Sequence, residues 1–168
     1  PGTEQLCIAV NVSPLELNEP GYARRVLDIC ANAGVNPARL QLEITETAVI
    51  AHPTRTAEVL HQVRQAGVRI HLDDFGTGYS SLSLLSELPV DGLKIDRSFT
   101  AALGEDRHRT AVIQAITHLC RQLGLSVIAE GIETEKQHQQ LIQFGCDQGQ
   151  GYLFGRPQPC NNGRRDLR

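Results

Sequence analysis

Hydrophobic and polar positions change period several times along the chain, and each change marks an element. Residues 40–45 alternate strictly, with Leu40, Leu42 and Ile44 on one side and Gln41, Glu43 and Thr45 on the other, the period of a half-buried strand. Upstream, the β-rich run at 6–11 predicts another strand, and Ser13-Pro14 reads as a helix N-cap followed by proline at the first helical position. Tyr22, Val26, Ile29, Cys30 and Ala33 recur at helical spacing and predict a helix over 20–33 that Gly34 closes. Downstream the alternation continues: a helix over 54–66 stopping at Gly67, a strand over 68–73, and a glycine-bearing loop from Asp73 to Ser81. A short helix around Leu82, Leu84 and Leu85, a strand over 92–96, a helix over 106–123 and a strand over 126–130 follow. The last predicted elements are a helix over 134–144, with Thr134 and Gln137 spaced as a capping box, and a strand-like run at 150–154.

Six strand–helix units joined by short loops predict a parallel sheet, either doubly wound or closed as a barrel. The polar residues favour the barrel. Asn11, Glu43, Asp73, Lys94, Glu130 and Gln150 each fall at or near a predicted strand end, almost all at the C-terminal end. Barrel enzymes gather their sites on that face, whereas a doubly wound sheet concentrates its site at one switch point. The expected fold is therefore α/β, a (β/α) barrel of TIM type.

Composition narrows the class. A chain of 168 residues and 18.4 kDa can bury one sizeable core. Its 40% apolar and 21% charged residues match an ordinary globular protein and exclude a disordered tail, a coiled coil and a collagen-like repeat. A formal net charge of -3 supplies no electrostatic footprint for a nucleic-acid polymer. No apolar run approaches the roughly 20 residues of a membrane span, and the first residues do not read as a signal peptide. The five cysteines contain no CxxC pair and read as scattered reduced thiols. Among the histidines only His71 shares the inward parity of Asp73.

The strand-end residues define a chemistry when taken together. Glu43, Asp73, Asp74 and Glu130 supply carboxylates, and Asn11 and Gln150 add neutral oxygens. Converging on one axis, these groups repel unless cations neutralise them, and an all-oxygen set suits Mg²⁺ or Mn²⁺ rather than zinc. Adjacent Asp73 and Asp74 can bridge two metals, and two metals about 4 Å apart suit in-line phosphoryl displacement. Lys94 adds a positive charge that can polarise the attacking water or neutralise a phosphate oxygen. Singly, each feature has an ordinary reading: an Asp pair as a turn, a strand lysine at the solvent edge, the GTG of 76–78 as a plain turn. The joint pattern carries the chemistry.

The stretch LDDFGTGYSSLSLLSELPVDGLKIDRSF (72–99) closely resembles the signature of EAL domains, the cyclic-di-GMP phosphodiesterases. So do VNVS (10–13), LEITE (42–46), VIAEGIET (127–134) and QGYLFGRPQP (150–159), in the family's order and spacing. The resemblance implies a modified TIM barrel that hydrolyses one phosphodiester of cyclic-di-GMP to give linear pGpG, using Mg²⁺ or Mn²⁺ as two bound ions. It implies that Asn11, Glu43 and Asp73 are metal ligands and that Asp74 helps hold the second metal. It places Lys94 near the nucleophilic water, Glu130 as a metal ligand or proton acceptor, and Gln150 as a residue orienting the water or substrate. Asp74, Lys94 and Gln150 also face the substrate in this reading. Glu46 corresponds to the glutamate that anchors the loop after Asp74, residues 75–80. In the family that loop also contributes to homodimerisation.

Two departures qualify the match. No Glu-x-Leu motif precedes VNVS, and a complete (β/α)₈ barrel takes roughly 250 residues. Together with the lack of any Met, position 1 included, this leads to the expectation of a single EAL-type domain over 1–168, N-terminally truncated, with about six of the eight barrel strands. Sensory or cyclase domains are expected outside the chain. The expected location is the cytoplasm, free or as the cytoplasmic part of a membrane-anchored protein. The rival reading is an EAL-like receptor that holds cyclic-di-GMP without turnover because the first-strand glutamate is absent.

Overall fold

The computed structural model describes residues 6–76, 85 and 87–158. Six parallel strands form one sheet in strict sequence order: β1 (Ile8–Val12), β2 (Leu40–Thr45), β3 (Arg69–Phe75), β4 (Gly92–Ile95), β5 (Ser126–Ala129) and β6 (Gln148–Gly149). Sequential order is that of a barrel wall, since a doubly wound sheet reverses direction at its switch point. The sheet is an arc whose two edges are β1 and β6.

The helices are α1 (Pro14–Leu17), α2 (Tyr22–Asn32), α3 (Glu46–Ala51), α4 (Pro53–Gln65), α5 (Arg97–Ala101), α6 (Arg107–Leu123) and α7 (Glu135–Phe144). Local chemistry fixes their ends. Ser13 and Glu16 form a capping box at α1, and Thr134 and Gln137 form the expected one at α7. Gly124 and Gly145, in left-handed conformation, close α6 and α7.

Parity along each strand sorts the two faces. Leu42, Ile44, Ile70, Leu72, Leu93, Ile95, Val127 and Ala129 point towards the helices and join Leu60, Val63, Ile113, Cys120 and Leu141 in one core. Burying each such Leu, Ile or Val is worth about 1.5–3 kcal/mol. The opposite face carries Asn11, Gln41, Glu43, His71, Asp73 and Lys94, so apolar residues hold the wall from outside while polar ones line the interior. Barrel interiors are more often filled by branched aliphatics.

Several boundaries depart from the sequence pattern. The strand-like run at 150–154 is not a strand: β6 is the two-residue Gln148–Gly149, and the segment after it turns back, with Leu153 N donating to Ile132 O and Phe154 N to Gly151 O. Strand β3 runs on past Asp73 through Asp74 and Phe75, where a loop is expected. Helices α3 and α5 have no counterpart in the pattern because six and five residues are too few to display a helical period. Apart from Leu85, the short helix expected around Leu82 and Leu84 lies outside the described residues, as do residues 77–80 of the loop after Asp74.

Candidate active site

The site is built around an irregularity in β3. Leu72 pairs with Leu93 and Phe75 with Ile95, so Asp73 and Asp74 together oppose the single residue Lys94. This is a β-bulge, and it breaks the alternation of faces. Phe75 stays buried in the core while both aspartates serve the polar side. Asp74 takes φ 55°, the one positive φ outside glycine among the described residues. Aspartate tolerates this left-handed conformation better than most residues, yet strain of this kind costs on the order of 1–3 kcal/mol and gathers at functional sites.

Lys94 is the hub. Its side chain is 4% exposed, and Nζ lies 2.7 Å from Glu43 Oε2, 3.1 Å from Asp73 Oδ1 and 2.6 Å from Glu130 Oε1. Three strands thus converge on one ammonium supplied by a fourth element of the same wall. Gln41 Nε2 donates to Glu43 Oε1 at 3.0 Å, and Gln150 Nε2 donates to Glu130 Oε1 at 2.8 Å. Asp73, Asp74 and Glu130 bring one oxygen each within 4.8 Å of one another.

Two glycines let the last strands reach this point. A side chain on Gly131, at φ +69°, would run into Arg97 at the start of α5, and one on Gly151 would overlap the backbone of Ile132. These close approaches hold Glu130 and Gln150 side by side, together with the bond from Ile132 N to Gln150 O.

Electrostatics follow from burial and crowding. Burial works against the Lys94 ammonium, but its hydrogen bonds to Glu130 and Glu43 and the charge of Asp73 prevail, and its pKa is driven far above the ordinary lysine value. Burial raises the pKa of Glu130; Asp73 and Glu43 push the same way, and Lys94 opposes them. Asp74 is also raised, by burial, then by Asp73 and Asp96. His71, which lies beside Glu43 in the strand register, is lowered mainly by burial and is neutral at pH 7.

The other expected residues take clear places. Asn11 pairs with Glu43 across β1 and β2, exposed on the edge strand. Glu46 opens α3 and is buried, directly after the strand that carries Glu43. Gln41 was legible only as a polar member of the strand 40–45 alternation, and its service to Glu43 is an addition. So is a cavity of about 650 Å³ beside Glu130 and Gln150, lined by Arg97, Glu133, Tyr152, Phe154 and Arg156. The Arg156 guanidinium lies over the Tyr152 ring at 4.3 Å.

The donor set fits divalent cations. Three carboxylates, Glu43, Asp73 and Glu130, share the one ammonium of Lys94, with Asp74 beside them, so negative charge exceeds positive at the centre. All the donors are oxygens, as Mg²⁺ and Mn²⁺ prefer.

Residues 2–157 match the EAL domain family. The chain is 42% identical over 152 residues to the bifunctional diguanylate cyclase/cyclic di-GMP phosphodiesterase MucR of Pseudomonas aeruginosa, covering 90% of this chain and 22% of that protein. It therefore spans about a fifth of the length of that relative. The solved structure of the MucR phosphodiesterase in complex with c-di-GMP aligns with a TM-score of 0.90 at 41% identity, over 95% of this chain and 64% of that one. Klebsiella pneumoniae BlrP1, in a complex with manganese and c-di-GMP, aligns with a TM-score of 0.84 at 34% identity, over 90% of this chain and 39% of that one. With the family match running across nearly the whole chain and the strand wall shared with these structures, the chain belongs to the EAL domain family.

Proposed function

We propose that this domain hydrolyses one phosphodiester bond of cyclic-di-GMP to give linear pGpG, with two Mg²⁺ or Mn²⁺ ions held by Asn11, Glu43, Asp73 and Asp74. The observation that carries this reading is the meeting of Glu43, Asp73 and Glu130 on Lys94, with Asp74 beside them. Bound there, the cations supply positive charge against the phosphate and acidify water.

The protein's own residues do the rest. Glu130 Oε1 is taken by Lys94 and Gln150, which leaves Oε2 to accept a proton from the attacking water. Lys94 fixes three carboxylates and sets a positive charge where a phosphate oxygen can be stabilised. The reaction adds one water across one P–O bond, with the proton returning to the departing sugar oxygen. In the neighbouring cavity, Tyr152 offers a face for a purine, and Arg97 and Arg156 suit phosphate.

The domain acts, in this proposal, in the cytoplasm within a larger signalling protein, as a homodimer through the loop after Asp74. The test is incubation of the purified full-length protein that carries this domain with cyclic-di-GMP and Mg²⁺ or Mn²⁺, with pGpG followed by chromatography. Appearance of pGpG is expected. Binding of the dinucleotide without turnover, at saturating cation, replaces this reading with that of a receptor.

A further inference from the structure

We infer that Lys94 is the built-in counter-ion of the cation site: its ammonium is held by the same carboxylates that would receive a divalent cation and so weakens their affinity for it. The inference rests on the proposed cation site and concerns how that site is regulated. Lys94 Nζ sits within 3.1 Å of oxygens from Glu43 and Asp73, two of the groups that would hold a cation, and from Glu130 beside them. A carboxylate oxygen committed to an ammonium is a weaker donor to a metal, which needs oxygens at about 2.0–2.1 Å in the case of Mg²⁺.

Each of these carboxylates gives Lys94 one oxygen. Glu43 has both engaged, Oε2 by Lys94 and Oε1 by Gln41. Asp73 Oδ1 serves Lys94 and also accepts from Asp74 N at 3.0 Å. Glu130 Oε1 serves Lys94 and Gln150. Lys94 cannot simply leave, because a buried ammonium without partners is costly. Cation and ammonium therefore draw on one set of carboxylates, and their like charges repel in an interior of low dielectric. Lys94 offsets part of the negative charge of these carboxylates, and it weakens their grip on a divalent cation beside it.

This sets a sign that a purely supportive lysine would reverse. If Lys94 only held the carboxylates in place, its removal would loosen the cation. The experiment measures Mn²⁺ binding without substrate, by electron paramagnetic resonance of the free ion and by calorimetry, for the wild type, Lys94→Gln and Lys94→Arg. Lys94→Gln should bind Mn²⁺ at least fivefold more tightly than the wild type while losing turnover, and Lys94→Arg no more tightly than the wild type. Equal or weaker binding by Lys94→Gln overturns the inference.

A second measurement needs no variant at the site. Lys94 and Lys136 are the lysines of the chain, so their side-chain ammonium signals can be assigned with Lys136→Arg. Saturating Mg²⁺ should shift the Lys94 signal and leave that of Lys136 in place; an unmoved Lys94 signal at saturation overturns the inference even if Lys94→Gln does not fold. A wild type that binds no Mn²⁺ removes the cation site and this inference with it. Mn²⁺ bound to the wild type, with Lys94 unmoved, removes the inference alone.

Discussion

Gln150 and Lys94 share one acceptor: Glu130 Oε1 takes hydrogen bonds from Gln150 Nε2 at 2.8 Å and Lys94 Nζ at 2.6 Å. The sharing fixes the plane of the Glu130 carboxylate and aims Oε2 away from both donors. A group held in this way is suited to receive a proton from a direction set by the scaffold.

Glu130→Gln should therefore lower kcat by on the order of 10²–10⁴ while changing KM little, because the lost charge acts on proton transfer more than on ground-state binding. Steady-state kinetics on cyclic-di-GMP check this. An unchanged kcat takes Glu130 out of the mechanism.

Gln150→Ala removes one of the two donors and leaves the other. A hydrogen bond to a charged group is worth about 1.5–3 kcal/mol, which corresponds to a loss of roughly tenfold to a hundredfold in kcat. The fall should be smaller than that of Glu130→Gln in the same assay, and a larger one would assign Gln150 a direct part in the chemistry.

Asp74 joins a strained backbone to a charge, and two substitutions separate them. Asp74→Gly relieves the positive φ of 55° and the repulsion from Asp73, so thermal stability should hold or rise. Asp74→Ala keeps the strain without the carboxylate and should melt lower than Asp74→Gly, by about 1 kcal/mol in stability. Both should need more Mn²⁺ for turnover. Thermal melts and metal titrations measure the two effects independently.

Turnover should require Mg²⁺ or Mn²⁺ and should be inhibited by Ca²⁺, which accepts looser, higher-coordinate geometry and activates water less well. Full activity in excess chelator would contradict the proposed site.

The fold should also lose stability in alkali. Burial pushes the Cys120 thiol up to about 11 and the Cys146 thiol up to about 12, from an ordinary value of 9.0, and Tyr22 up to about 12 from 10.0. Each group is held protonated more firmly in the folded than in the unfolded chain. Their contribution is therefore complete below pH 9 and is lost as pH rises through 9 to 12. Urea midpoints should be level from pH 7 to 8.5 and fall by pH 10.5, and Cys120→Ser with Cys146→Ser should flatten the decline.

How much of this was legible in the sequence depends on length and on parity. The alternation of 40–45 places Glu43 opposite the core without further information, and long amphipathic runs such as 106–123 fall within a residue of the observed α6. Strand β6 was misplaced because two residues cannot show a period, and the apolar Leu153 and Phe154 beside it imitate a strand while packing in a turn. The bulge was invisible for a different reason. Period-two reasoning sends Asp73 and Asp74 to opposite faces, and only the pairing of Leu72 and Phe75 with β4 reveals that both can serve one side. Likewise, the sequence placed Lys94 near the carboxylates by strand position, but its burial and its three contacts depend on neighbouring strands that local pattern does not encode.

The strand order has a consequence for how the chain acquires its charged centre. Glu43, Asp73, Lys94 and Glu130 come from four successive units, and each strand pairs with the one next in sequence. Folding can proceed by adding one unit at a time, with each loop closure short and inexpensive. The centre, however, is shared among all four, so a chain arrested with β2 to β4 in place would hold Lys94 between Glu43 and Asp73 with Glu130 still in solvent. The wall can assemble unit by unit, while the third carboxylate reaches Lys94 only when β5 arrives. A probe at Glu130 would therefore time the arrival of β5, and one at Glu43 an earlier part of the pathway.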